Sequence, residues 1–596
     1  MKTKSLLSKN LTQQLKIRGI KLNKEQEAAV ADIEGACAVH SLAGTGKTTV
    51  LVARIMAIAE AHPEANILAL SFSKKSCQEL MSRLNGVMNV TVCTLHSFMY
   101  SRILRSEGFY RNCRFVATEA ERRSIIKKAL YESGTEAELT VQDVIETLAK
   151  GVFDTEAKHA AAEAYLDILK ERRILCYDSL AYLCTELIKY QPAVANHVRN
   201  TIDYILIDEA QDINRSFIDV LKLVFPISTS PNISLIGDYH QSIYGFRGAC
   251  PAYAMELEEY YNAKVFSLSL NYRSTPDIIE VANAVLPSAD VKLKSAKNIG
   301  GKQPIFYAAK DSKDEADFIV AKMKEFHASG YSYNDMAILF RASAVTNDVY
   351  EKLLQNNVPF IRIGSTIKYD NSRFKCLLAL LSSLYDSNHA SMYWQCSLPI
   401  LGASASLMSY LAASDTTDVK DVLTNLPSLS RNQRQRFKAF FDIDVEALSF
   451  DQVVSKLFYD YLKPYFRAED DSILDEFRET IGKDNSFTEL RDHIFLIRKR
   501  ERAIKHLVMT GQPHAKMMSI HSSKGLQFPI TFVIGASNGI MPLSKPDAVV
   551  DEAEEHRLAY VAASRAEQQL IISYPQTGSN GCAQSASPYF AQFFKE

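Results

Sequence analysis

The sequence predicts an α/β protein made of two parallel-sheet lobes, each interrupted by a mostly helical insertion. Three observations carry that expectation. Apolar, β-rich runs alternate with helical stretches through the first half of the chain, a second alternation begins at Pro304, and two long segments rich in helix formers break into the series. The first strand set reads from runs near 36–41, 67–72, 91–95, 204–208, 233–237 and 265–270. "PIFYAA", "DMAILFRA", "PFIRIG", "AKMMSIHSS", "PITFVIGA" and "QQLIISY" make the second set. The segment 106–194 is helical and rich in Lys, Glu, Ala and Leu, and 386–509 is helical again.

Bulk properties set limits on function. At 596 residues the chain exceeds what one hydrophobic core supports. A hydrophobic fraction of 47% with 23% charged residues is ordinary for a soluble globular protein. The net charge of −1 means that a polyanion must be held by local basic surface rather than by overall charge. Ten cysteines without a CxxC pair, and no Cys/His cluster at metal-ligand spacing, predict reduced, mostly buried thiols in a cytoplasmic protein. No apolar run approaches the ~18 residues of a membrane span. The N-terminus "MKTKSLLSKNLTQQLKIRGIKLNK" is basic but lacks a secretory apolar core, and is expected to form a solvated amphipathic helix.

Chemistry enters at "SLAGTGKT", residues 41–48, after the apolar run "ACAVH". It fits a phosphate loop except that Ser41 stands where the pattern has Gly. Gly44 and Gly46 let backbone N–H groups turn toward phosphate oxygens, and a helix beginning near Lys47 adds its positive end. Lys47 would reach the outer phosphates, and the Thr48 hydroxyl would ligate Mg²⁺. Such a loop needs an acid for the metal and a base for water. "YILIDEAQD", residues 204–212, ends an apolar strand in Asp208 and Glu209, at the edge where such groups meet a site. Asp208 is assigned to Mg²⁺ and Glu209 to the attacking water.

Further segments decide what the nucleotide is for. "LNKEQ", "SLAGTGKTT", "ILALSFSKKSCQELMSRL", "VCTLHSF", "ILIDEAQD", "LIGDYHQSIYGFRGA", "LNYRS", "IHSSKGLQF" and "EEHRLAYVAASRA" follow one another along the chain. In that order they resemble the UvrD/Rep/PcrA-type superfamily 1 helicases over nearly the whole length. The resemblance implies two RecA-like lobes: 1A over 1–105 and 195–268, and 2A over 269–385 and 510–596. The insertion 106–194 corresponds to 1B and 386–509 to 2B.

The resemblance also implies roles. Gln26 reads adenine, Tyr272 stacks on it, and Gln241 senses the γ-phosphate and water. Arg273 and Arg565 contact the γ-phosphate from beyond the first lobe. Ser41, Leu42, Ala43, Gly44, Thr45, Gly46, Lys47, Thr48 and Thr49 cradle the nucleotide, with Gln527 at the ribose where most relatives carry Glu. Phe72, Tyr244 and Phe246 are placed against single-stranded bases, which offer π-faces to any aromatic, and His96 near the DNA backbone. Core packing is the commoner use of such aromatics. "LIRKRERAIKH" (496–506) suits either duplex phosphates or a solvated helix face.

The resemblance implies an ATP- and Mg²⁺-dependent DNA helicase, its 3′→5′ polarity taken from the family, acting on single-stranded DNA and 3′-tailed duplexes, in DNA repair, recombination or anti-phage defence. It is expected to be cytoplasmic, at the nucleoid. The chain runs only 22 residues past Tyr574, so any nuclease it works with is expected on a separate chain. Two rivals stay open at this stage. One is a translocase that strips proteins or feeds a nuclease; the other is a nucleotide-regulated DNA-binding module without turnover. Intact Lys47, Asp208, Glu209, Gln241, Arg273 and Arg565 argue against the second.

Overall fold

The computed structural model describes residues 6–151, 153–286, 292–297, 302–364, 372–386, 390–398, 419–425, 430–462, 486–544, 551–578 and 581–594. Contacts divide the chain into two compact units, Met1–Gln303 with Asp547–Gln569, and Pro304–Pro546 with Leu570–Glu596. Each unit holds one six-stranded sheet.

In the first unit, β1 (Cys37–Ser41), β2 (Ile67–Ser71), β3 (Val90–Thr94), β4 (Tyr204–Asp208), β5 (Asn232–Gly237) and β6 (Lys264–Leu268) lie in the order β3-β2-β4-β5-β1-β6. All pairings are parallel. Parallel strands need crossovers that cover both faces, so their sequences are continuously apolar. Tyr204–Asp208 is buried at every position. One face packs Val39, Leu206 and Ile236 against Leu51 and Ile55 of the helix Lys47–Ala61. The other packs Leu70, Ile205 and Leu235 against Phe217 and Leu221. This order makes β4, β5 and β1 neighbours, so the loops that follow them open at one edge.

Between β3 and β4 the chain is mainly helical. The helices Glu119–Glu132, Val141–Lys150 and Glu156–Glu171 start at Thr118, Thr140 and Thr155, whose hydroxyls each accept from an N3 backbone N–H. Ile126, Leu130, Leu148, Tyr165 and Leu169 close their shared core.

In the second unit, β7 (Ile305–Asp311), β8 (Met336–Phe340), β9 (Phe360–Ile363), β10 (Ala515–Ser519), β11 (Phe528–Ile534) and β12 (Ala566–Thr577) run in the order β7-β12-β11-β8-β10-β9. The pairings β7–β12, β8–β11, β8–β10 and β9–β10 are parallel. The stretch between β9 and β10 is again helical, including Ser372–Tyr385, Arg431–Phe441 and Phe487–Met509. Two helix-interrupted parallel-sheet lobes are therefore present, as the sequence predicts. Parts of the segment read as 2B, namely 387–389, 399–418, 426–429 and 463–485, lie outside the described residues. "LIRKRERAIKH" sits on Phe487–Met509, with Ile497, Glu501 and Ile504 buried and Lys499 and Arg502 exposed.

The N-terminal basic stretch forms the amphipathic helix Lys9–Ile17, which buries Leu11 and Leu15. All ten cysteines are free. No helix among the described residues is long and apolar enough to cross a membrane.

Candidate nucleotide site and aromatic surface

The loop after β1 is shaped by two glycines. Gly44 (φ +70°) and Gly46 (φ +85°) take the left-handed backbone that other residues adopt only under strain, and Gly46 caps the helix that starts at Lys47. Neither position has room for a side chain. A Cβ on Gly44 would come within 2.5 Å of Asn271 Nδ2, and one on Gly46 within 2.8 Å of Gln26 Nε2. The loop is held from several directions. Gln26 Nε2 donates to Thr45 O at 2.9 Å, and its Oε1 accepts from Asn23 N at 3.0 Å in a capping box. Ser41 Oγ donates to Gly237 O at 3.0 Å, so the residue that departs from the pattern ties β1 to β5. Thr45 Oγ1 donates to Leu42 O at 2.8 Å. Thr48 and Thr49 follow Lys47 in the first helical turn, half-buried.

Lys47 forms an ion pair with Glu209 and lies 4.0 Å from Asp208. Burial works against its charge, but the two carboxylates outweigh it and raise its pKa. Burial likewise raises the pKa of Asp208, with Lys47 opposing. Glu209 sits at φ +55°, an unusual left-handed conformation for a glutamate at the end of a strand. Gln211 Nε2 donates to Glu209 Oε2 at 2.5 Å and fixes the carboxylate. After β5, Asp238 is pushed up to about 6 by burial, which the Gln241 amide eases by donating at 2.6 Å.

The two arginines reach the same site. Arg565 Nη2 donates to Gln241 Oε1 at 2.9 Å, and Arg273 Nη1 donates to Ser564 O at 3.0 Å. Burial, and then the neighbouring Arg273, lowers Arg565 to about 9, as expected of a cation cluster built to meet an anion. Both arginines belong to the first compact unit, as does the phosphate loop. Tyr272 is 43% exposed, and its hydroxyl accepts from Asn23 Nδ2 at 2.9 Å. Gln527 is exposed at the turn before β11 in the second unit.

This donor set fits a nucleoside triphosphate with a divalent cation. The glycine cradle admits phosphate, three cations converge on it, and Asp208 with Thr48 supplies the hard oxygens that Mg²⁺ prefers. Bound there, the metal would neutralise charge on the transferring phosphoryl group.

The aromatic residues form a second surface in the same unit. Phe72 and Tyr244 stack on each other, with ring centroids 5.4 Å apart and planes at 10°. Phe246 stands edge-on to Tyr244 and is 54% exposed, so of these three it presents the freest face. Arg247 lies over both Tyr244 and Phe246, at 5.3 and 5.5 Å. Phe72, His96, Tyr177, Phe246 and Arg247 line one cavity of about 460 Å³. His96 meets Tyr177 edge-on at 5.4 Å, and burial, followed by Arg247, lowers its pKa.

Comparison with known proteins agrees with this geometry. The model of the UvrD/REP helicase N-terminal domain matches residues 22–262. That of the UvrD-like helicase C-terminal domain matches 266–435 and 471–577. The chain belongs to the UvrD/Rep helicase family. Relatives include the ATP-dependent DNA helicase PcrA of Staphylococcus epidermidis, 28% identical, with 96% of this chain aligned to 86% of that protein. The putative ATP-dependent DNA helicase YjcD of Bacillus subtilis is 29% identical over 93% of this chain and 79% of its own length. The PcrA of Staphylococcus aureus is 27% identical over 93% and 83%.

Residues that the sequence does not single out also hold these surfaces together. Asn271 Nδ2 donates to Ala43 O at 2.6 Å, while its Oδ1 accepts from the N–H groups of Arg273 and Ser274, each at 2.8 Å. Tyr560, Gln211 and Tyr177 join it. Asn271, Tyr560 and Gln211 lie inside the quoted motifs "LNYRS", "EEHRLAYVAASRA" and "ILIDEAQD", beside residues that had roles already. Tyr177 lies in "ILCYDSLAYL", where only an unusual exposed tyrosine beside a buried run marks it.

Proposed function

We propose that this protein is an ATP-dependent DNA helicase that steps 3′→5′ along a single strand and opens 3′-tailed duplexes. The observation that carries this is the Arg565–Gln241 hydrogen bond. Gln241 leads directly into the segment that presents Tyr244 and Phe246, so a group poised for the γ-phosphate shares one short loop with the aromatic surface. Hydrolysis that rearranges Arg565 must also pull on that loop.

Within the site, Lys47 would exchange Glu209 for the outer phosphates of ATP. That exchange frees the Glu209 carboxylate to take a proton from water, while Gln241 orients the water and Arg273 and Arg565 stabilise charge on the phosphoryl oxygens. Asp208 and Thr48 would hold Mg²⁺. Phe246 supplies a stacking face for a base without reading its identity. The direct test is phosphate release from ATP and Mg²⁺, with and without single-stranded DNA. Strong stimulation by the strand is expected. An identical rate with and without DNA would refute the reading.

A further inference from the structure

The loop from Asp238 to Ala249 is gripped along its length by one short segment far away in sequence. The helix Glu552–Ala563 and the residues just after it contact the loop at three points. Arg565 Nη2 donates to the Gln241 side chain, and Arg557 Nε donates to Ser242 O at 2.6 Å. The Glu554 carboxylate packs against Gly245, in the space a Cβ there would need, and faces its N–H. Residues 554 and 557 are three apart and project from one helix face, so the grips run in order along the loop. The last of them falls between Tyr244 and Phe246, the two aromatics that frame the binding surface.

Gly245 has no positive φ to explain it. What it lacks is room: a Cβ there would overlap the Glu554 carboxylate. That carboxyl is half-buried and forms no ion pair within 4 Å among the described residues; burial raises its pKa, with the Arg557 charge opposing. A partly desolvated carboxylate set against one backbone N–H costs free energy unless that N–H must be held.

We propose that Glu554 is a positioning residue that fastens the aromatic loop to the arginine-bearing helix, so that a strand seated on Phe246 changes the setting of Gln241 and Arg565. Glu554 touches neither nucleotide nor strand; it acts through the Gly245 backbone. The inference rests on the helicase reading above. It assigns to one side chain the coupling between strand binding and ATP turnover.

The test compares phosphate release, basal and stimulated by single-stranded DNA, for wild type, Glu554→Ala, Glu554→Gln and Gly245→Ala/Glu554→Ala, each with its melting temperature. Glu554→Ala is expected to keep its basal rate and lose about tenfold in the stimulated rate, the effect of one lost charged contact that positions the loop. Glu554→Gln retains an acceptor oxygen and is expected to keep the stimulation. Adding Gly245→Ala to Glu554→Ala should cost little more, because the overlapping partner has gone. Full stimulation in Glu554→Ala, or equal loss of basal and stimulated rates, would overturn the assignment while leaving the helicase reading intact. So would Glu554→Gln failing as badly as Glu554→Ala. A wild type that strands do not stimulate would overturn the helicase reading and this inference together.

Discussion

The Tyr560 hydroxyl accepts a hydrogen bond from the Ala43 N–H at 3.0 Å, across 517 residues of sequence. On the other side of the same residue, Asn271 holds Ala43 O. The phosphate loop is therefore clamped by the two segments that deliver Arg273 and Arg565. Tyr560→Phe keeps the ring and removes the acceptor, leaving a buried N–H without its partner. A loss of roughly 1–3 kcal/mol in the stability of this unit is expected. Calorimetry of the wild type and the variant checks it, and an unchanged melting profile would show that the bond is dispensable.

Phe246 is the exposed member of the aromatic set, while Phe72 and Tyr244 cover each other. Phe246→Ala should weaken single-strand binding by roughly 1–3 kcal/mol, as for one stacked base. Fluorescence anisotropy with a labelled oligonucleotide measures this directly. Because half of the ring is already in solvent, the melting temperature should move little.

In the second unit, Glu315 is buried at 1% exposure, and its Oε1 accepts from Gly535 N and Ser573 Oγ. Burial pushes its pKa from 4.5 up to about 7. A carboxyl whose folded pKa is raised binds its proton more tightly when folded. It therefore lowers stability as pH rises from about 4.5 to about 7, and the penalty is complete above that. Glu315→Gln keeps one oxygen for both donors and never ionises. It should stabilise this unit at pH 8 by about 3 kcal/mol and by far less at pH 5. Trp394, the one tryptophan in the chain, is fully buried in this unit and reports its unfolding in urea. Equal effects at both pH values would contradict the shift.

The family resemblance assigns Gln527 to the ATP ribose, with an amide where a glutamate would bring charge. An amide oxygen accepts from a ribose hydroxyl without charge assistance, which makes the bond about half as strong. Gln527→Glu should lower the ATP KM several-fold, worth roughly 1 kcal/mol, and leave kcat nearly unchanged. Steady-state ATPase at two salt concentrations separates this from repulsion of the triphosphate, which salt screens. A large fall in kcat at constant KM would place Gln527 in the coupling machinery.

Local chemistry was the most legible part of the sequence. The apolar runs located all twelve strands of the two sheets: the central strands, buried on both faces, cannot hide their composition, while the partly exposed edge strands β3, β6 and β7 still read as short β-rich runs. Lys47, Asp208, Glu209 and Gln241 meet because the loops after β1, β4 and β5 open side by side, an adjacency that strand order alone creates. Pairings across hundreds of residues were not legible. Nothing in "LAY" says that Tyr560 reaches Ala43, and nothing in "YGF" says that Gly245 is small because Glu554 lies against it. Gln26 has a base-reading amide by type, yet its polar atoms bond Thr45 and Asn23, a use that depends on the helix cap around it. The stacking of Phe72 on Tyr244 was equally hidden, since a strand-end aromatic looks alike whether it faces a base or another ring.

In the proposed mechanism, hydrolysis at Glu209 drives strand separation. Strand displacement by wild type and Glu209→Gln, on duplexes tailed at the 3′ or the 5′ end, tests it most directly. The variant keeps Lys47 and Asp208 for nucleotide and metal, and should lose turnover by about 10²–10⁴-fold, the usual contribution of a general base. ATP-dependent separation of the 3′-tailed duplex is expected from the wild type and none from Glu209→Gln, although the variant still binds the tail. Separation by Glu209→Gln at the wild-type rate, or no separation of either duplex by a wild type that hydrolyses ATP, would contradict it.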